Sequence, residues 1–445
     1  MTRIADRDRL ASTPERALAL DCIETAVEAA DPETATLAAV DRDGETLTVG
    51  DQRYDLTEYD EVLVVGGGKA AAGATRALES VLGDRLSGGV VVTKEPAAVE
   101  GVRNAVGDHP LPSARNAEAT ADLLARLDAA GERTLALFVL TGGASALLTA
   151  PAGDVTVDDL RATTRALLDA GAPIGEVNAV RKHLSAVKGG RVAAAAAPAT
   201  VASLLVSDVV GDDPSTVGSG PTVPDPTTYA DALAVLDRRD LRVPDAVRDH
   251  LDAGTEGAFP ETPAPDDPAF DRASVHFVAD NATALDAARG VAEAAGYEPV
   301  VLTSRLRGEA REVAKPIVAV AEEVAASGDP VDPPAVLLAG GECTVSVAGE
   351  GTGGPNQEFA LSAALELDAD ATVAAVDTDG EDGSTDAAGG VVDRGTVTDP
   401  EAARAALRDS DAGAYLSSVG AAVRTGPTGT NVNDVVVVVV PERPR

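Results

Sequence analysis

Residues 61–74 constrain this chain most. Four aliphatic residues, Val62-Leu63-Val64-Val65, run into Gly66-Gly67-Gly68-Lys69, and an Ala-rich segment follows over residues 70–82. That order predicts a buried strand, a glycine turn and a helix. Such a turn gathers backbone N–H groups and the positive end of a helix dipole, which suits an anion. Lys69 adds a full charge there. The motif is not a Walker A loop, because four residues do not separate the glycines and Ala70 stands where Ser or Thr would follow the Lys. Nor is it a dinucleotide fingerprint, since the Gly after Gly66-x-Gly68 is Gly73. Taken alone, a tight turn with a surface lysine explains it as well as a phosphate site does.

The pattern then repeats. An apolar run over residues 134–140 ends in Thr141-Gly142-Gly143-Ala144-Ser145. Two strand–glycine–helix turns predict a doubly wound, Rossmann-like parallel sheet with ligands at the carboxyl ends of its strands. Residues 174–192 read as one helix. Ile174, Val177, Val180, Leu184 and Val187 form its apolar face, and Asn178, Arg181, Ser185 and Lys188 recur on another. A basic face in an acidic chain points to an anion. The strand over residues 201–206 delivers Asp208, a candidate Mg²⁺ ligand or general base. Asp212 and Asp213 read as loop caps. His109, between Asp108 and Pro110, is either a base or a structural hydrogen-bonder, and the second reading is favoured.

Residues 251–272 are rich in Pro and Asp and read as a linker or surface loop. The predicted domains are therefore residues 1–250 and a smaller α/β domain over 273–445. Strands and helices alternate again after residue 274, which predicts a second parallel sheet. A strand over residues 335–338 leads to Gly340-Gly341-Glu342. Another, over 372–376, leads to Asp377-Thr378-Asp379-Gly380. Asn431 and Asp434 precede a six-valine strand.

Composition narrows the function. The net charge is −37, and only five of the 36 basic residues are Lys. Such a surface repels nucleic acid and anionic membranes and fits a chain solvated for a salty cytoplasm. No stretch approaches the roughly 18 apolar residues of a membrane span, and no apolar signal core is evident near the start. Cys22 and Cys343 cannot make a disulfide framework. Aromatics are 2% of residues, too few for base-stacking platforms. Cations for phosphates, acids for Mg²⁺ and an acid for a hydroxyl proton are all present. The residues thus predict an ATP-dependent kinase of a small anionic alcohol.

The motifs also resemble a known family, the glycerate 2-kinases with a C-terminal MOFRL domain, some of which carry an older hydroxypyruvate reductase label. The likeness runs in order through Gly66 to Lys69, His109-Pro110, Gly142 to Leu147, Asn178 to Gly190, Ser207 to Thr222, Gly340-Gly341-Glu342, Asn356-Gln357-Glu358, Thr378 to Gly389, and Thr428 to Asp434. It implies two α/β domains with the active site in the cleft, and ATP, Mg²⁺ and D-glycerate as reactants giving 2-phosphoglycerate. It implies Lys69, Asp208 and Arg181 in catalysis. Gly66, Gly67, Gly68, Lys69, Gly142, Gly143, Ser145, Lys188, Gly341, Asn431 and Asp434 would bind the nucleotide, and Asp208, Glu342 and Asp379 the metal. One departure is Pro355, where the family usually has Arg; Arg181 or Lys188 would then replace that cation. An NAD(P)-dependent hydroxypyruvate reductase and a non-catalytic sugar-acid binding protein are the competing readings. Oligomeric state is left open, with a homo-oligomer possible.

Overall fold

A computed structural model describes residues 4–443 of the chain. The first sheet has six strands in the order Arg103–Val106, Leu86–Thr93, Glu61–Gly67, Thr134–Leu140, Thr200–Val206 and Ala273–Ala279. The first five run parallel. Numbered along the chain, this is the order 3-2-1-4-5-6 of the doubly wound nucleotide-binding fold. The winding reverses between Glu61–Gly67 and Thr134–Leu140, which pair directly, Gly66 opposite Val139 and Gly67 opposite Leu140. Both strands are buried nearly throughout, as their unbroken aliphatic runs require. The two glycine turns are therefore neighbours at the switch point. After the helix Pro32–Ala39 the chain forms a three-stranded antiparallel meander over residues 40–55.

The chain divides into two compact units. The parallel-sheet unit holds residues 32–207 and 212–278. The mixed-sheet unit holds the described residues up to Asp31, then Asp208–Gly211, and the chain from Ala279 onward. This differs from the boundaries expected from sequence in two places. The helix Pro14–Ala29 lies in the mixed-sheet unit, where Cys22 Sγ donates to Ala288 O at 3.6 Å and Arg16 Nε pairs with Asp393 at 2.6 Å. Residues 251–272 are not a linker. Leu251 closes the helix Asp245–Thr255 onto a core with Val180, Leu184 and Tyr229, and Asp225 N donates to Pro263 O at 3.0 Å. Local composition carries no signal for such long-range returns.

The second sheet is mixed rather than parallel. Its order is Glu298–Glu309, Ala335–Thr344, Asp434–Val440, Thr372–Asp377, Gly389–Asp393 and Ala422–Val423. Only the first pair is parallel. Residues 378–388 hold no crossover helix, so the next strand returns antiparallel. The all-valine strand enters antiparallel between Ala335–Thr344 and Thr372–Asp377. Among the described residues no helix is long and apolar enough to cross a membrane.

Candidate active site

The glycine turn at the switch point does not present free amides. Gly68 N donates to Val92 O at 3.0 Å, Lys69 N to Gly142 O at 2.8 Å, and Ala70 N to Thr141 Oγ1 at 3.2 Å. Those amides lock the two turns together. Gly68 is required because a Cβ there would collide with Thr141. The turn presents the Lys69 side chain instead, which is exposed and has no hydrogen bond or ion pair among the described residues. Gly143 has φ 81°, and a Cβ on it would lie 2.8 Å from Lys69 Cγ and 3.0 Å from the His109 ring. Lys69 and His109 thus lie together over Gly143.

His109 is held there by Asn116, on the helix Ala114–Asp128. Asn116 accepts from Asp108 N at 2.9 Å and donates to Ala146 O at 3.0 Å, tying the His109 loop to the second turn. The imidazole makes no hydrogen bond among the described residues, so the structural role favoured from sequence is not observed. Burial, then Lys69 and Lys94, push its pKa below the ordinary value. A neutral imidazole at pH 7 is a proton acceptor.

Beside it opens a cavity of about 370 Å³, lined in part by His109, Gly143, Ser145, Arg181, Ser185 and Lys188. The helix bearing Arg181 is shorter than predicted, Ile174–His183. Residues 184–186 leave it to pair with 150–152, with Ala186 N on Ala150 O at 2.8 Å and Ala152 N on Leu184 O at 3.0 Å. Val177, Val180 and Leu184 face the core as expected, whereas Ile174 is exposed. The departure from the helix brings Lys188 beneath the short helix Ala144–Leu147. Its Nζ donates to Ser145 O at 2.9 Å and Leu148 O at 3.1 Å, capping the helix's C-terminal carbonyls. Arg181 Nη1 donates to Asn178 Oδ1 at 3.2 Å and Ser219 Oγ at 3.4 Å. Neither cation meets a carboxylate among the described residues. Burial lowers the pKa of Arg181, and burial with Arg181's charge pulls Lys188 down to about 7. Lys182, on the same helix, is equally buried but paired with Asp225 at 3.2 Å, a structural bridge. A buried cation without a counter-charge is costly, and an anionic ligand offsets that cost.

The mixed-sheet unit carries the acids. Asp434 starts the valine strand, takes Asn356 Nδ2 at 2.6 Å and Cys343 N at 3.0 Å, and is pushed up to about 7, chiefly by burial. Asp382 caps the helix Pro355–Glu366 by accepting from Asn356 N at 3.0 Å and Gln357 N at 2.8 Å; burial raises it to about 6. Asp377 is raised to about 8 by burial, then by Asp379 and Asp434. Asn431 Nδ2 reaches Asp379 at 3.3 Å, and Asn433 Nδ2 holds Asp208 O at 2.9 Å. Glu342 is raised by desolvation of its carboxyl and by Asp208. Gly341 is not in a turn. The strand continues to Thr344, and Gly341 lets it approach Leu306, where a Cβ would collide. Asp213 caps its own loop, accepting from Ser215 N at 2.9 Å.

Among the described residues no three acid, His or Cys side chains gather as a metal cage. Mg²⁺ rarely needs one: it takes one or two carboxylates, with phosphates and water completing the shell. The neighbouring Asp208 and Glu342 carboxylates fit that requirement. The acids of residues 377–383 were read from sequence as metal or substrate contacts, whereas the exposed Arg305 and Arg307, whose guanidinium groups lie near Gly211, escaped the sequence reading. Arg307 Nη2 donates to Val210 O at 3.1 Å. These two belong to the same unit as Pro355, whereas Arg181 and Lys188 do not. Both lie in the strand Glu298–Glu309, where the sequence reading placed no site residue.

Comparison with known proteins bears on this arrangement. A domain family described only as a domain of unknown function, DUF4147, matches residues 18–252, and the MOFRL family matches residues 335–434. A glycerate 2-kinase of Pyrococcus horikoshii is 38% identical over 437 residues, spanning 96% of this chain and 97% of its own. A protein of Agrobacterium vitis, provisionally named a hydroxypyruvate reductase, is 42% identical over 84% of this chain and 86% of its own. The crystal structure of a glycerate kinase of Thermotoga maritima matches with a TM-score of 0.85 at 34% identity, covering 95% of this chain and 98% of that one. With both domain families in order and kinase relatives along nearly its whole length, the chain belongs to the glycerate 2-kinase family.

Proposed function

We propose that this chain transfers the γ-phosphoryl group of ATP to D-glycerate, giving 2-phosphoglycerate. The observation that carries the substrate assignment is the pairing of half-buried Arg181 with buried Lys188, two cations facing one cavity without a carboxylate partner. The glycerate carboxylate fills that place. His109 accepts the proton of the reacting hydroxyl, and Lys69, held over Gly143, stabilises charge on the transferring phosphoryl group. Gly68 and Gly142 lie in the turns that hold these groups, with Gly66 and Gly67 ending the strand before the first turn and Ser145 in the short helix after the second. Asp208 and Glu342 would hold Mg²⁺, which would supply positive charge against the phosphates; Asp379 accepts from Asn431 Nδ2 at 3.3 Å. Asn431 and Asp434 keep this acidic end in register.

The name of the Agrobacterium relative favours a reductase as the second reading. The engaged amides of Gly68, Lys69 and Ala70 speak against it, because a dinucleotide's pyrophosphate needs such amides free. The test is ADP release with ATP, Mg²⁺ and D-glycerate in molar KCl, with the product resolved by phosphorus NMR. NADH or NADPH oxidation on hydroxypyruvate, with no ADP release on glycerate, overturns the kinase. We also place the protein in a saline cytoplasm, on its charge of −37. Its unfolding temperature should rise from low to molar salt, and a flat profile removes that assignment.

A further inference from the structure

The cavity that holds Arg181 and Lys188 is larger and more apolar than a three-carbon acid requires. Its 370 Å³ lies within the range of about 300–1,000 Å³ typical of sites for drug-sized ligands. Glycerate brings only three carbons and four oxygens. The charge sits at the deep end, on Lys188 and Arg181. Toward the mouth the helix Val157–Asp169 contributes Leu160, Thr164 and Leu168 beside the charged Arg161, Arg165 and Asp169, and the His109 loop contributes Leu111. Leu168 is 60% exposed and Leu111 46%, two of the few large apolar side chains left open to solvent on a strongly acidic protein. Exposed leucines converging on one cavity mark a place for an apolar ligand group.

We propose that the site also accepts 2-hydroxycarboxylates extended at C3 by an aliphatic group, as ligands and as phosphoryl acceptors. This rests on the placement of the substrate carboxylate at Arg181 and Lys188. The carboxylate enters first and the aliphatic tail rests between Leu111 and Leu168. The C2 hydroxyl oxygen forms the new P–O bond. The bond from the γ-phosphorus to the bridging oxygen breaks, ADP leaves, and the hydroxyl proton passes to His109.

The experiment uses the whole chain and a series of D-2-hydroxyalkanoates from three to six carbons. Each is measured as a competitive inhibitor against D-glycerate and as a substrate by ADP release. Inhibition constants should tighten by roughly fourfold per added methylene, with phosphorylated product detected for the longer acids. In Leu168→Asn, whose side chain is already exposed, that slope should flatten. A flat or rising series in wild type overturns the proposal, as does tight binding without any phosphorylated product. Arg181→Met separates the two layers. If it raises the glycerate KM while the wild-type series is flat, the carboxylate placement stands and the extended-tail proposal falls. If it leaves the glycerate KM unchanged in a protein with wild-type circular dichroism, the placement falls and the proposal with it.

Discussion

The cavity of the parallel-sheet unit and the acidic end of the mixed-sheet unit are both electrostatically unfinished, in opposite senses. In the cavity, half-buried Arg181 and buried Lys188 have neutral oxygens as partners, and desolvation depresses both. At the acidic end, Asp377, Asp382 and Asp434 crowd together, and burial raises all three. Each region departs from the pairing a purely structural charge would have, which Lys182 and Asp225 display. The difference teaches a division of labour. One unit is short of negative charge and suits anionic groups; the other concentrates carboxyl groups whose ionisation their burial and mutual proximity oppose.

The largest expected effect falls on the cationic side. His109→Asn should lower kcat by about 10²–10⁴-fold if His109 takes the hydroxyl proton, and the remaining activity should lose its acid limb. A pH–rate profile identical to wild type would move the base to the acidic region. Lys69→Ala should lower kcat by about 10²–10³-fold, the typical loss of one transition-state donor. Because Lys69 is exposed, its urea midpoint should stay at the wild-type value. Turnover near wild type would remove it from the chemistry.

Smaller effects appear in stability, and there the two regions should respond oppositely to pH. The aspartates have folded pKa values near 8, 7 and 6, above the unfolded value of 3.8. Their contribution is therefore complete below about pH 4 and is lost as pH rises through 6 to 8. Lys188 has a folded value of about 7, below its unfolded 10.5. Its contribution is present above 10.5 and is lost as pH falls through 7. Pulse proteolysis in urea should show Asp377→Asn flattening the decline of the mixed-sheet unit between about pH 4 and 8. Lys188→Met should flatten the rise of the parallel-sheet unit between pH 7 and 10. Equal slopes in variant and wild type would mean that these groups do not set the contrast.

The two regions also differed in how much the amino-acid pattern disclosed. The switch-point turns were legible because each follows a short, fully buried strand, and the parallel order brings their ends together. Arg181 and Lys188 were grouped by helical spacing, although the helix stops at His183 and pairing with residues 150–152 completes the convergence. His109 was undervalued because Asn116, seven residues later, holds its loop. At the acidic end the strand around Gly341 continued where a turn was expected, since glycine marks close approach as readily as a bend. Strand direction in the second sheet depends on partners up to about a hundred residues away, and the membership of Pro14–Ala29 on partners hundreds of residues distant, which local pattern does not encode.

The position of the valine strand has a consequence for synthesis on the ribosome. Asp434–Val440 lies between Ala335–Thr344 and Thr372–Asp377, joining the two halves of its sheet, and the helix Pro14–Ala29 packs against it. The parallel-sheet unit has all its strands once about residue 279 has emerged. The mixed-sheet unit begins with one of the first helices made and must wait for residue 440. During that interval an amphipathic helix and two unpaired strand edges await their partner, a window in which a chaperone has a surface to hold.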